Sequence, residues 1–132
     1  MNQKKDDKLF MTVNKPNQWC VYLFYNKKRN KTYLGCTSDI KRREKQHNGK
    51  LKGGAKNTKL KHRSTDTNDR WILKGLITGE MNRSTSGKLE SKIRKSKIYG
   101  LENRLLKMES EAEELEHMFD RFNEEDHHIQ SS

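Results

Sequence analysis

The run Trp19-Cys-Val-Tyr-Leu-Phe-Tyr25 is the longest apolar stretch of the chain, and it constrains the fold more than any other feature. It is rich in aromatic and β-branched residues and too short for a core helix, so it reads as a buried strand. A second such run, Lys31-Thr-Tyr-Leu-Gly-Cys36, comes after the polar connection Asn26-Lys-Lys-Arg-Asn30. Two strands joined this closely predict an antiparallel β-hairpin. The apolar run also falls far short of the roughly 20 residues that span a bilayer.

Capping and turn residues mark the next elements. Thr37-Ser38-Asp39 offers a helix N-cap, and the helix is expected to run to about His47, where Asn48-Gly49 supplies a stop. Residues 49–69 read as a long Lys-, Gly-, Asn- and Thr-rich loop, of the kind that is usually functional. Arg70–Thr78 reads as a third strand. Ser84-Thr85-Ser86 offers caps for a second helix over about Lys88–Lys97. Residues 1–17 are expected to form a loose basic arm and residues 124–132 a disordered tail. Residues 18–99 then make one α/β domain of α+β type, a small three-stranded antiparallel sheet flanked by helices.

Beyond Gly100 the spacing changes. Leu101, Leu105, Met108, Ala112, Leu115, Phe119 and Phe122 recur at alternating intervals of four and three. That is a heptad seam, and it predicts an acidic amphipathic helix over 100–123, a coiled-coil extension. A bare seam of this length calls for cover: a partner protein, self-association through residues 101–122, or the chain's own body.

Charge narrows the class of function. The chain has 132 residues, of which 30 % are hydrophobic, enough for one core. It holds 29 Lys and Arg against 18 Asp and Glu, and the asymmetry is regional. Residues 1–100 carry a net +18, whereas residues 101–132 carry −7. A body this basic is the electrostatic footprint of a nucleic-acid partner. Cys20 and Cys36 are the only cysteines, too few for a disulfide framework or a cysteine zinc site. With a polar N-terminus that lacks an apolar signal core, a cytoplasmic or nuclear location is expected.

The chemistry-bearing residues cluster around the hairpin. Arg43 and His47 are four residues apart and share one helix face, where an arginine can grip a phosphate in a bidentate manner and a histidine can pass a proton. Lys41 and Arg42 add charge to the same helix, and the bland alternative is a solvated basic face. Tyr22 and Tyr33 offer phenolic oxygens, although hairpin aromatics are more often core. Glu90 stands alone among Lys88, Lys92, Arg94 and Lys95. An acid so placed can hold a hard cation that keeps most of its waters, or simply pair with Arg94 one turn on. Lys50, Lys52, Lys56, Lys59, Lys61 and Arg63 make the loop a candidate contact for the phosphate backbone.

Together Cys20-Val21-Tyr22, Tyr33-Leu34-Gly35, Arg43, His47 and Glu90 resemble the motif of the GIY-YIG nucleases over residues 18–97. Gly53-Gly54-Ala55 and Thr58 are similar to its Slx-type, structure-selective branch. The resemblance implies a GIY-YIG fold and DNA cleavage in repair or recombination, one strand at a time, with Mg²⁺ or Mn²⁺. It assigns catalytic roles to Tyr22, Tyr33, Arg43, His47 and Glu90, with Glu90 as the metal ligand. A nucleic-acid-binding module of weak activity and a mobile-element (homing-type) nuclease remain as alternatives. Cys20 stands where the motif has a glycine, and tryptophans expected after Glu90 are replaced by Ser91, Lys92, Ile93 and Arg94. No cysteine comes after Cys36, so the zinc-binding RING domain of the Slx-type branch, and with it the scaffold partner, is not implied.

Overall fold

A computed structural model describes residues 18–49 and 69–123. Strands β1 (Cys20–Asn26) and β2 (Lys31–Thr37) form the expected hairpin, in a register that sets Tyr22 opposite Gly35 and Phe24 opposite Tyr33. Helix α1 (Ile40–His47) comes next; Asp39 is its N-cap, accepting from the Arg42 N–H at 3.1 Å. Gly49 closes it with φ +77°, a conformation that glycine adopts without steric cost.

Strand β3 (Trp71–Thr78) lies against β1 rather than β2, so β2 remains an edge. Helix α2 (Arg83–Lys95) begins earlier than Ser84-Thr85-Ser86 suggested. Asn82 caps it, and the Asn82 and Thr85 side chains bond reciprocally to each other's backbone N–H.

The C-terminal region departs from the coiled-coil expectation. Helix α3 (Leu101–Glu114) ends where Leu115 caps it, Glu116 takes φ +59°, and β4 (Met118–Arg121) adds a fourth strand beside β3. The sheet is therefore four-stranded and antiparallel, in the order β2-β1-β3-β4, not three-stranded. The seam exists, but the chain's own sheet and α2 cover its middle, and Leu115 stays exposed at the end of α3. Leu105, Met108 and Ala112 are buried with Val21, Leu23, Ile77, Leu89 and Ile93, and Phe119 packs against them from β4. Gly75 of β3 makes that approach possible, because a Cβ there would stand 2.6 Å from Leu105 Cδ2. Burial of each large apolar side chain is worth about 1.5–3 kcal/mol, more than an exposed helix would gain alone.

The sheet separates two apolar clusters. Helices α2 and α3 cover one face. On the other face Ile40 of α1 packs with Cys20, Tyr22, Phe24, Trp71 and Leu76. Asn48 clasps α1 to the start of β3, donating to the Trp71 carbonyl at 3.0 Å and accepting from the Trp71 N–H at 2.7 Å. Arg104 of α3 reaches the edge strand, donating to the Thr32 hydroxyl at 3.3 Å and to the Ile98 carbonyl at 3.0 Å. Among the described residues no helix is long and apolar enough to cross a membrane.

Candidate active site

Alternation along β1 and β2 places Tyr22 and Tyr33 on the α1 side of the sheet, and one turn of α1 presents Arg43 and His47 to them. Tyr22 Oη lies 3.3 Å from His47 Nε2. The His47 ring centroid is 4.8 Å from that of Tyr33 and 5.2 Å from that of Phe24. Gly35 clears the space, since a Cβ at that position would stand 2.5 Å from the Tyr22 hydroxyl. The motif spacing points to the tyrosines; the reason for the glycine emerges only from the cross-strand register.

Burial sets the protonation states here. The phenol of Tyr22 is pushed well above its ordinary range by burial, which the Arg43 guanidinium beside it opposes. Burial also raises Tyr33, against the pull of Arg43, and the negative charge of Glu90 raises it further. His47 is pushed down to about 4 by burial and then by the charge of Arg43, so its imidazole is neutral at neutral pH. The Arg43 guanidinium is itself anchored, donating to Gln46 Oε1 at 3.0 Å.

Glu90 comes from the opposite face of the sheet. It lies on α2, and its charge reaches Tyr33, Cys36 and Arg104. The helical pairing that spacing allows is also formed: Arg94 Nε donates to Glu90 Oε2 at 2.9 Å. Among the described residues no group of three or more His, Cys, Asp or Glu side chains surrounds a metal position. Glu90 is partly exposed, and a single carboxylate, once released from Arg94, fits a hard divalent cation that retains most of its water.

Tyr22, Tyr33, Arg43 and His47 are thus brought together, with Glu90 facing them across the edge strand. Lys41 and Arg42 are exposed on α1. Lys50, Lys52, Lys56, Lys59, Lys61 and Arg63 lie outside the described residues, as do the arm and tail expected at the two ends. Sequence reasoning misses Asn48 and Arg104. Asn48 reads there only as part of a helix stop, and Arg104 falls between the seam residues of the expected coiled coil without a signal of its own.

A family model described as the GIY-YIG catalytic domain matches residues 18–114. The chain is 38 % identical over 64 residues to the structure-specific endonuclease subunit SLX1 of Phaeosphaeria nodorum, covering 48 % of this chain and 16 % of that protein. It is also 38 % identical over 77 residues to the subunit slx1 of Aspergillus terreus, covering 57 % of this chain and 18 % of that one. The chain thus spans less than a fifth of the length of these curated relatives.

Proposed function

The chain belongs to the GIY-YIG family of endonucleases, and from that premise we propose that it is a divalent-metal-dependent DNA endonuclease that hydrolyses one strand at a time at branched or otherwise structured DNA. The observation that carries this reading is the convergence of Tyr22, Tyr33, Arg43 and His47 on one side of the edge strand, with the Glu90 carboxylate on the other.

Phosphodiester hydrolysis needs an activated water, relief of the charge growing on the phosphoryl oxygens, and relief of the charge on the departing 3′ oxygen. Arg43 is suited to the second task, being held by Gln46 beside the tyrosines. Exposure divides the tyrosines. Tyr33 is half-buried and in this reading orients the attacking water; Tyr22 and His47 are buried and in this reading position the phenol and the guanidinium. Burial and then the Arg43 charge depress His47, and the same charge draws down Tyr22, so a phosphate that offsets Arg43 leaves both side chains holding their protons more firmly and in positioning roles. Glu90 would hold Mg²⁺ or Mn²⁺, which supplies Lewis-acid stabilisation of the leaving oxygen.

The preference for branched DNA, with a role in repair or recombination, is supported by the similarity to structure-specific endonuclease subunits, and binding by the net charge of +11. Nicking of linear, flapped and four-way DNA with Mg²⁺ or EDTA tests it. Metal-dependent nicks concentrated at the junctions are expected, and equal cutting of linear duplex would contradict the preference. One observation favours a second reading, a nucleic-acid-binding module of weak activity: the Glu90–Arg94 ion pair competes with a metal for the carboxylate. Metal-independent binding without nicking on any substrate would select that reading.

A further inference from the structure

We propose that the cavity flanked by α1 and the first turns of α2 is a subsite for one nucleotide of the DNA strand, next to the phosphate that Arg43 holds. This rests on the endonuclease reading and adds to it a site of its own. The cavity has a volume of about 440 Å³ and is walled by Trp19, Asp39, Arg42, Arg43, Arg83 and Gly87, among others. That volume lies within the roughly 300–1,000 Å³ of small-ligand pockets. Three arginines line it, Arg42, Arg43 and Arg83, and arginine binds phosphate through paired hydrogen bonds. Asp39, the wall's carboxylate, is turned to its own helix and accepts from the Arg42 N–H at 3.1 Å. Trp19 also lines it, partly buried against the core under α2, and base stacking on aromatics is tolerant of sequence.

Gly87 supplies an independent observation. It sits inside α2, where glycine is unfavourable relative to alanine. A Cβ on it would meet no atom within 4 Å, and its backbone needs no glycine-specific conformation. Packing therefore does not demand this glycine, and its missing side chain leaves the cavity wall bare. Arg43 belongs to both the cavity and the tyrosine cluster, so a nucleotide in the cavity is contiguous with the reacting phosphate.

The test is binding of thymidine 3′,5′-bisphosphate to the full chain in EDTA, measured by calorimetry. Gly87→Leu is expected to weaken binding at least tenfold while melting no lower than wild type. Gly87→Ala is expected to bind within threefold of wild type. Arg83→Ala, which leaves the helix intact, is expected to lose about tenfold, and inorganic phosphate to bind more weakly than the bisphosphate. Equal binding by wild type, Gly87→Leu and Arg83→Ala, or no binding at millimolar bisphosphate, would overturn the subsite. Because no metal or turnover enters, bisphosphate binding by a chain that never nicks DNA would refute the endonuclease reading and leave the subsite standing.

Discussion

The phenolic oxygen of Tyr22 and Nε2 of His47 meet at 3.3 Å with both side chains wholly buried, in a space that a glycine on the neighbouring strand keeps open. This contact joins the hairpin to α1, and it turns two residues of the family motif, Tyr22 and Gly35, into one steric requirement.

Gly35→Ala is expected to damage both stability and cleavage. The new methyl would stand 2.5 Å from Tyr22 Oη and 2.6 Å from Cζ, so the ring must move. Overpacking of this kind costs about 1–3 kcal/mol. Thermal melts should show the loss, and nicking should fall at least tenfold because Tyr22 leaves His47 and Arg43. A variant with wild-type melting and turnover would show that the ring has room to shift.

Stability is expected to depend on His47 in mild acid. Its pKa falls from an ordinary 6.5 to about 4 on folding, so the unfolded chain binds this proton more readily. The contribution is complete above pH 6.5 and is lost as pH falls through about 4. Its full size is about 3 kcal/mol. Denaturant titrations at pH 7.5, 6 and 4.5 should show this loss in wild type and not in His47→Gln, which has no group titrating there. Parallel losses in the two proteins would assign the effect elsewhere.

Glu111→Gln is expected to loosen α3 from α2. The buried Glu111 carboxylate pairs at 3.0 Å with both Lys92 of α2 and Lys107 of α3. Burial raises its carboxyl, but the contacts of Lys107 and Lys92 outweigh burial and hold it below the usual carboxylate range. This contribution is therefore present above that range and lost on acidification. Because Lys92 is exposed, the substitution should cost about 1–2 kcal/mol, less than breaking a fully buried pair. An unchanged denaturation midpoint would remove the pair from the forces holding α3.

Arg43→Ala is expected to lose far more turnover than Lys41→Ala. Each removes one positive charge from α1, but only Arg43 adjoins Tyr22 and Tyr33, whereas Lys41 is exposed. Single-turnover nicking should fall by about 10²-fold or more for Arg43→Ala and only a few-fold for Lys41→Ala. Equal losses would reduce the helix to a generic basic surface.

Most of the nuclease core is legible in the sequence because its signals are local. Aromatic alternation marks β1 and β2, Asp39 and Gly49 bracket α1, and the apolar run of Trp71–Thr78 marks β3. The C-terminal region misleads for a physical reason. A four-three spacing specifies an apolar stripe but not its cover, and here the cover is the sheet and α2 of the same chain. Gly75 carries the missing information, since its bare backbone admits Leu105. Phe119 falls on the heptad grid by coincidence and in fact alternates along β4. The tyrosines, Arg43 and His47 are found through their motif spacing. The burial that sets their protonation, and the cavity beside Arg43, depend on contacts between distant segments that no spacing reveals.

The central claim, that metal-dependent strand cleavage runs through this site, is tested most directly by Glu90→Gln. The substitution removes a carboxylate and an exposed ion pair with Arg94, which is worth little to stability. Nicking of a branched DNA is measured in Mg²⁺, alongside affinity for the same DNA in EDTA. A loss of more than about 10²-fold in nicking with affinity unchanged is the expected result. Nicking at the wild-type rate would contradict the role of Glu90 and the metal-dependent mechanism with it.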